Sequence, residues 1–400
     1  MSATTAWSRP GARETRDQVL RVDSGRAYVA DLATIKGSPL WETIFAGQRK
    51  DHRLLAVIEE TIPQDFEYHY LVLEDARGIP RAIQPFFLRT QDLLAGTGPG
   101  MQGLLRRARA VWPRLLTMRT LMVGSPLGEG SLGAAPEDRD WCAAALRAAL
   151  LPCARRYRAS LVVLKEFPAS FRSSLACFVR HGYTRIPSMP YTSLDLSFRD
   201  FEEYMRTALS HAYRKNLRRK FRDAAQAPPI ALEVVSDLTP CAEEVYPLYL
   251  QVYERSALRF EKLTLDYLRR LGRAAPDKIR FFIWRQSGKA VAFSVCLLHA
   301  GALWDEYLGL DYRVALDLHL YFYTLRDIIE WCCAQGLGRY YSSALNYDPK
   351  LHLKFSLVPM DLYVRHTRAA FNPIVGRSLR LLDPTRHDPT VKKFHNADDL

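Results

Sequence analysis

The same order of apolar segments runs twice along this chain, and that repetition limits the fold more than any single motif. After a strand at 26–32 and a helical stretch at 40–57, strand-like runs at 68–75 and 80–89 flank the turn Asp75-Ala76-Arg77-Gly78. A basic segment at 104–114 reads as helical up to Pro113. Then come a strand at 120–124, a glycine-rich loop to Gly133, a helix at 141–158, a strand at 160–164, a helix at 171–180 and a strand at 191–196. Beyond residue 200 the order returns. A strand at 230–235 and helices at 240–255 and 264–271 lead to a hairpin of 279–284 and 289–298 around Ser287-Gly288. A strand at 303–308, a helix at 319–334 ended by Gly336, a strand at 339–343, a short helix at 348–355 and a strand at 360–366 follow. Short β-rich runs around glycine turns specify hairpins. Mixed sheets with helices on both faces are the economical packing for this order. The repeat is one of pattern, with no run of identical letters between the halves. The expectation is an α/β (α+β) chain of two tandem folds, each a mixed twisted sheet flanked by helices. The domains would span 21–198 and 199–366, after a flexible leader at 1–20 and before a proline- and charge-rich extension at 367–400.

Between the halves lies a basic amphipathic stretch, 204–222. Met205, Leu209, Tyr213, Leu217 and Phe221 recur every four residues as an apolar stripe, which predicts one helix. Arg214, Arg218 and Arg222 form a second line, with Lys215 and Arg219 beside them and no acid before Asp223. Like charges one turn apart destabilise a helix by roughly 0.2–0.5 kcal/mol per pair, which a bound anion would relieve. A solvated basic face is the other reading. The whole chain has 56 Lys and Arg against 43 Asp and Glu, a net charge of +13. That excess favours anionic partners: phosphates, nucleic acid, nucleotide-bearing substrates or a membrane surface. The seven cysteines are scattered, with no Cys-x-x-Cys, and the histidines are dispersed. This predicts no metal site and reduced thiols in a cytoplasmic protein. No apolar run reaches the roughly 18 residues of a membrane span.

The segments Ser210-His211-x-Tyr213-Arg214-x-Asn216-Leu217-Arg218-Arg219 and Asn346-Tyr347-Asp348-Pro349-Lys350, with the element order, resemble the Fem-like branch of the GNAT acyltransferase superfamily. These are tandem GNAT proteins, described as peptidoglycan-biosynthesis-like or CelD-like acyltransferases. Val252-Tyr253-Glu254-Arg255-Ser256, Tyr307-Leu308-Gly309-Leu310-Asp311-Tyr312 and Gly336-Leu337-Gly338-Arg339 add to the likeness. It is strong over 200–366 and rests on element order over 25–198. The resemblance implies tandem acyl-CoA N-acyltransferase folds and transfer of an acyl or aminoacyl group to an amine. The donor would be an acyl thioester such as acyl-CoA, slightly favoured, or aminoacyl-tRNA, with no tightly bound cofactor. The acceptor would be an amine-bearing small molecule or peptide, and tRNA a partner. A catalytically dead tandem GNAT that binds polyanions at a nucleic acid or membrane surface is the alternative.

In the superfamily the donor sits where two parallel strands splay, its pyrophosphate on backbone amides at the next helix. Here that loop would be 312–318, and it lacks the family's glycines. In the first half, Gly128-x-Gly130-x-x-Gly133 occupies the corresponding place, as a phosphate loop or a plain flexible one. The family's coiled-coil arm is missing, which argues against a cell-wall bridge ligase. Amide formation from an activated ester needs a neutral amine, a stabilised oxyanion and a protonated leaving group. Positioning can supply most of the rate, so no catalytic triad is required. Asp305, Glu306 and Tyr307 precede the donor loop, and strand alternation puts Asp305 and Tyr307 on one face, Glu306 with Trp304 on the other. Either acid could serve as base or as half of a salt bridge. Lys350 could hold an oxyanion or phosphate, or be an exposed helix lysine; Tyr347 could protonate the leaving group, or pack in the core. Tyr213, Arg214, Lys215, Arg218, Arg313 and His319 are the candidate donor or phosphate contacts. Ser342, Ser343 and Asn346 would line the site.

Overall fold

The computed structural model describes residues 20–22, 25–63, 65–92, 117–256, 259–379, 383 and 388–400. The expected leader up to residue 19 and the basic segment at 104–114 lie outside the described residues. Strands are numbered in chain order: β1 (Leu20–Val22), β2 (Gly25–Ala30), β3 (Glu67–Glu74), β4 (Pro80–Asp92), β5 (Thr117–Val123), β6 (Leu161–Pro168), β7 (Thr184–Pro187), β8 (Tyr191–Asp195), β9 (Ile230–Val235), β10 (Ile279–Gln286), β11 (Lys289–His299), β12 (Ala302–Leu310), β13 (Arg339–Ser342), β14 (Ser356–Val358) and β15 (Met360–His366). They form two mixed sheets, in the orders β1-β2-β3-β4-β5-β6-β15-β7 and β14-β8-β13-β12-β11-β10-β9. In each sheet an antiparallel meander ends in one parallel pair. That pair is β5 with β6 in the first sheet and β12 with β13 in the second. The second parallel strand is reached through a helix, Arg139–Arg156 in the first unit and Leu320–Ala334 in the second. A parallel pair requires such a crossover.

Central strands are apolar on both faces. Ala290 to Leu297 in β11 is buried throughout, as expected where helices cover a sheet on two sides. The second unit's largest core packs the helix Leu320–Ala334 and the stripe Met205, Leu209 and Leu217 against Phe282, Trp284, Leu303 and Tyr340. Tyr213 and Phe221 pack partly against the same core, so the four-residue stripe holds.

The chain divides elsewhere than at 198/199. One unit holds Met1–Glu59, Pro63–Ser188 and Asp361–Asp383, the other Glu60–Ile62, Met189–Met360 and Pro384–Leu400. The last strand of each half is exchanged: β8 lies in the second sheet between β14 and β13, and β15 in the first between β6 and β7. The expected extension at 367–400 is likewise split. Asp361 shows what fixes β15. Its buried carboxylate receives Arg172 Nε at 2.7 Å and Arg185 Nη1 at 3.2 Å, both from the first unit. A buried carboxylate is tolerated only when so paired. Alternation in β8, with Thr192 and Leu194 buried, names a half-buried strand without naming its sheet.

The basic stretch is two helices, Phe201–Ala208 and His211–Ala224. Leu209 is extended, and the Ser210 side chain accepts from the Tyr213 amide at 3.3 Å as the second helix's N-cap. Arg214 Nη1 holds the break by donating to the Arg206 and Leu209 carbonyls at 2.9 and 3.0 Å. A serine cap inside a continuous apolar stripe is the signal that separates two helices from one.

Candidate functional site

The parallel ladder of β12 and β13 is four residues long, from Ala302 opposite Arg339 to Asp305 opposite Ser342. β12 then continues to Leu310, while the chain leaving β13 turns through Ser343 to the short helix Tyr347–His352. The Ser343 amide still reaches the Asp305 carbonyl at 3.1 Å. The ladder stops at that bond, and the point where the two strands part is the notch.

A β-bulge shapes its wall. Opposite β11, Val295 faces Tyr307 and Cys296 faces Asp305, so Glu306 is an extra residue. The bulge resets the alternation. Asp305 accepts hydrogen bonds from the Ser294 hydroxyl and, at 2.7 Å, from the Tyr340 phenol, on the side of the second unit's core. Tyr307 faces the other way, its hydroxyl donating to Glu261 at 2.8 Å and its ring edge-on to Tyr249. The expected common face for Asp305 and Tyr307 is therefore wrong, because period-two alternation does not survive an inserted residue.

Charge in the notch is poised by burial. The Asp305 carboxyl is pushed up by desolvation, against the hydrogen bonds from Ser294 and Tyr340 and the charge of Lys350. Lys350 is buried, and its amine donates to the Ser343 carbonyl at 2.6 Å and the Leu345 carbonyl at 3.0 Å. Burial lowers its pKa to about 7, with Asp305 acting in the opposite direction. It is not the exposed helix lysine of the simpler reading. A neutral amine that donates two N–H bonds keeps a lone pair for a proton. Tyr321, in the first turn of the helix Leu320–Ala334, buries its hydroxyl with no acceptor for its proton among the described residues. Desolvation and the Asp305 charge raise its pKa, and the Asn346 side chain lowers it. An unsatisfied buried hydroxyl costs about 1–3 kcal/mol, so this donor stands ready for an incoming oxygen.

Other expected residues fall into different places. Tyr347 is fully buried, donates to the Pro190 carbonyl at 2.8 Å and packs against Phe394, so it is a core residue with its proton committed. Ser342 gives its carbonyl to Thr192, and Ser343 its carbonyl to Lys350. Asn346 is exposed and left-handed, with φ 51°, at the start of the short helix. The loop before Leu320–Ala334 spends its own amides. Ala315 bonds to the Asp311 carbonyl, Leu318 to Val314, Leu320 to Ala315, and Phe322 and Tyr323 to His319. Arg313, highly exposed, is held by Asp311 at 2.7 Å, and His319 lies 3.8 Å from Asp223. The missing glycines thus correspond to a turn closed on itself. Tyr213 stacks on His352 at 5.4 Å. Arg214, Lys215 and Arg218 line a separate pocket of 740 Å³. Sequence reasoning missed Ser294, Tyr321 and Tyr340. Ser294 was findable as a lone hydroxyl inside an apolar strand; the two tyrosines carry no such mark among twenty.

The corresponding notch of the first unit is filled. Parallel pairing of β5 and β6 ends at Val123 opposite Leu164. The loop 124–133 then folds back over it: the Gly130 amide donates to the Glu166 carbonyl at 3.0 Å, Gly133 to Gln84 Oε1 at 3.0 Å, and Lys165 Nζ to the Gly128 carbonyl at 3.0 Å. A Cβ on Gly130 would sit 2.4 Å from the Lys165 carbonyl oxygen, and one on Gly133 1.8 Å from that of Ile83. Gly130 and Gly133 thus serve close packing.

Among the described residues no helix is long and apolar enough to cross a membrane, and no cluster of His, Cys, Asp and Glu could hold a metal ion. Residues 211–348 match a family model described as an acetyltransferase (GNAT) domain. No curated protein matches the chain. Similar solved structures include L-PGS from Bacillus licheniformis, at 14% identity and a TM-score of 0.49, covering 84% of this chain and 98% of that one. A tandem GNAT protein from the clavulanic acid biosynthesis pathway gives 12%, 0.48, 86% and 98%, and FemX 8%, 0.47, 78% and 90%.

Proposed function

With residues 211–348 matching a GNAT acetyltransferase domain, we propose that this chain is an N-acyltransferase whose reaction takes place in the β12/β13 notch. It moves an acyl or aminoacyl group from an activated carrier to an amine on a small molecule or peptide. The observation that carries this reading is the grouping of a half-buried Asp305, a buried Lys350 amine and the unbonded Tyr321 hydroxyl where β12 and β13 part.

The acceptor nitrogen attacks the carrier-bound carbonyl carbon, and the C–N bond forms as the carbonyl oxygen becomes an oxyanion. Tyr321 donates its hydrogen bond to that oxygen. Neutral Lys350 takes the proton that the nitrogen must lose, and the Asp305 charge stabilises the resulting ammonium. The C–S or C–O bond to the carrier then breaks, and the proton passes to the departing sulfur or oxygen. Ser294 and Tyr340 fix the Asp305 carboxylate by hydrogen bonds, so orientation is set before substrate arrives.

An acyl thioester is the favoured donor. The amides that loop 311–323 commits to its own carbonyls give one reason to keep aminoacyl-tRNA as the second reading, because fewer are left for a pyrophosphate. Thiol release from a panel of acyl-CoAs, set beside ribonuclease-sensitive transfer from charged tRNA, separates the two. No turnover with any donor, together with salt-dependent binding to polyanions, would replace both with a non-catalytic scaffold.

A further inference from the structure

Away from the notch, the helices Phe201–Ala208 and His211–Ala224 and the side chain of Arg326 enclose the 740 Å³ pocket. It shares no lining residue with the notch. Five cations line it, Arg214, Lys215, Arg218, Arg222 and Arg326, against the single carboxylate of Glu202. Their charges are unequally spent. Arg326 is held by Asp327 at 2.7 Å and lies over the rings of Phe221 and Tyr323. Arg218 pairs with Glu202 in an exposed bridge, a contact an anion can displace at small cost. Among the described residues Lys215 and Arg222 have no hydrogen bond or ion pair. Arg214, Arg218 and Arg222 follow one another at one-turn spacing, about 6 Å along the axis. Such a row repels itself when empty and is relieved by a ligand with more than one negative charge. The rest of the lining includes Phe201, Met205, Phe221 and Ala225. A concave site of this size, with convergent charge over an apolar floor, suits one small molecule rather than a flat macromolecular surface.

We infer that this pocket binds a nucleotide-sized phosphate ester, its diphosphate on Lys215, Arg218 and Arg222 and its base or apolar body against Phe201, Met205 and Phe221. Guanidinium groups donate to phosphate oxygens two N–H bonds at a time, and the ammonium adds a point charge. The site is independent of the notch: it holds whether or not the notch transfers acyl groups, since binding alone defines it.

Calorimetric titration of the full chain with ADP, inorganic pyrophosphate, adenosine and a short single-stranded RNA tests it. ADP should bind at least about tenfold more tightly than pyrophosphate or adenosine. The double variant Lys215→Ala/Arg222→Ala should weaken ADP by about tenfold or more, with an unchanged circular dichroism spectrum. Arg219→Ala, which removes a cation from the same helix outside the pocket, should leave ADP affinity unchanged. The inference is overturned if ADP binds no better than pyrophosphate, if all three proteins bind ADP alike, if Arg219→Ala matters as much as the pair, if the RNA binds more tightly than ADP, or if no probe binds. Acyl-transfer assays on the same double variant report separately on the notch.

Discussion

The two parallel junctions occupy the same position in the same strand order and have opposite fates. At β5/β6 the loop 124–133 closes the gap with its own backbone, and Lys165 is tied to Glu166 and the Gly128 carbonyl. At β12/β13 the following loop bonds to itself, and the gap is left to Asp305, Tyr321 and Lys350. Both sites place a buried lysine beside backbone carbonyls, and what differs is its partner. Lys165 has a carboxylate in contact. Lys350 donates to carbonyls, with Asp305 close enough to act on its charge, and burial pulls it to about 7.

Acyl transfer gives the sharpest contrast. Lys350→Ala should cut kcat/KM by about a hundredfold or more, the usual scale for losing a proton-transfer group, and Asp305→Asn, which removes the charge that stabilises the Lys350 ammonium, should lower it by about tenfold or more. Lys165→Ala should leave it within a factor of about three in steady-state assays. Equal losses at the two lysines would erase the distinction. Gly133→Ala should destabilise the first unit by about 3 kcal/mol in denaturant melts, since its Cβ would overlap the Ile83 carbonyl. Notch chemistry in the protein that still folds should be unchanged.

The pH response separates the lysines next. If neutral Lys350 is the base, kcat/KM rises with pH through about 7 and levels off above. The folded-state value lies below the ordinary 10.5, so between the two the unfolded chain holds the extra proton. Stability gains from this residue as pH rises from about 7 towards 10.5, and the gain is absent below 7. Lys350→Met should remove both slopes, readable in a pH-rate profile and in melts across that window. Smallest of all is Arg313→Ala. Its guanidinium is exposed and bonded to Asp311, so donor KM should move less than about twofold. A tenfold rise in KM would restore the loop as a phosphate contact.

Much of the scaffold is legible in the letters. The twofold order of strands and helices and the apolar stripe from Met205 to Phe221 follow from periodicity and turn residues, and the parallel pair before the donor loop from the family resemblance. The exchange of β8 and β15 is not legible, because ladder partners are set by long-range pairing and by the Arg172–Asp361–Arg185 contact, across about half the chain. Asp305 was readable as a costly acid in an apolar strand, and Lys350 from its motif. Tyr307 falls on the unexpected face, and Tyr347 takes the core-packing one of its two readings. A bulge at Glu306 reverses the face of the first, and the second spends its hydroxyl on Pro190. Neither a bulge nor a backbone acceptor leaves a pattern in residue types.

A structure of the chain bound to a non-transferable acyl-thioester analogue tests the central claim most directly. The acyl carbonyl should lie past Asp305 and Ser342, its oxygen within hydrogen-bond reach of the Tyr321 hydroxyl. Density for the analogue at loop 124–133, or an acyl group bound with Tyr321, Asp305 and Lys350 untouched, would contradict it.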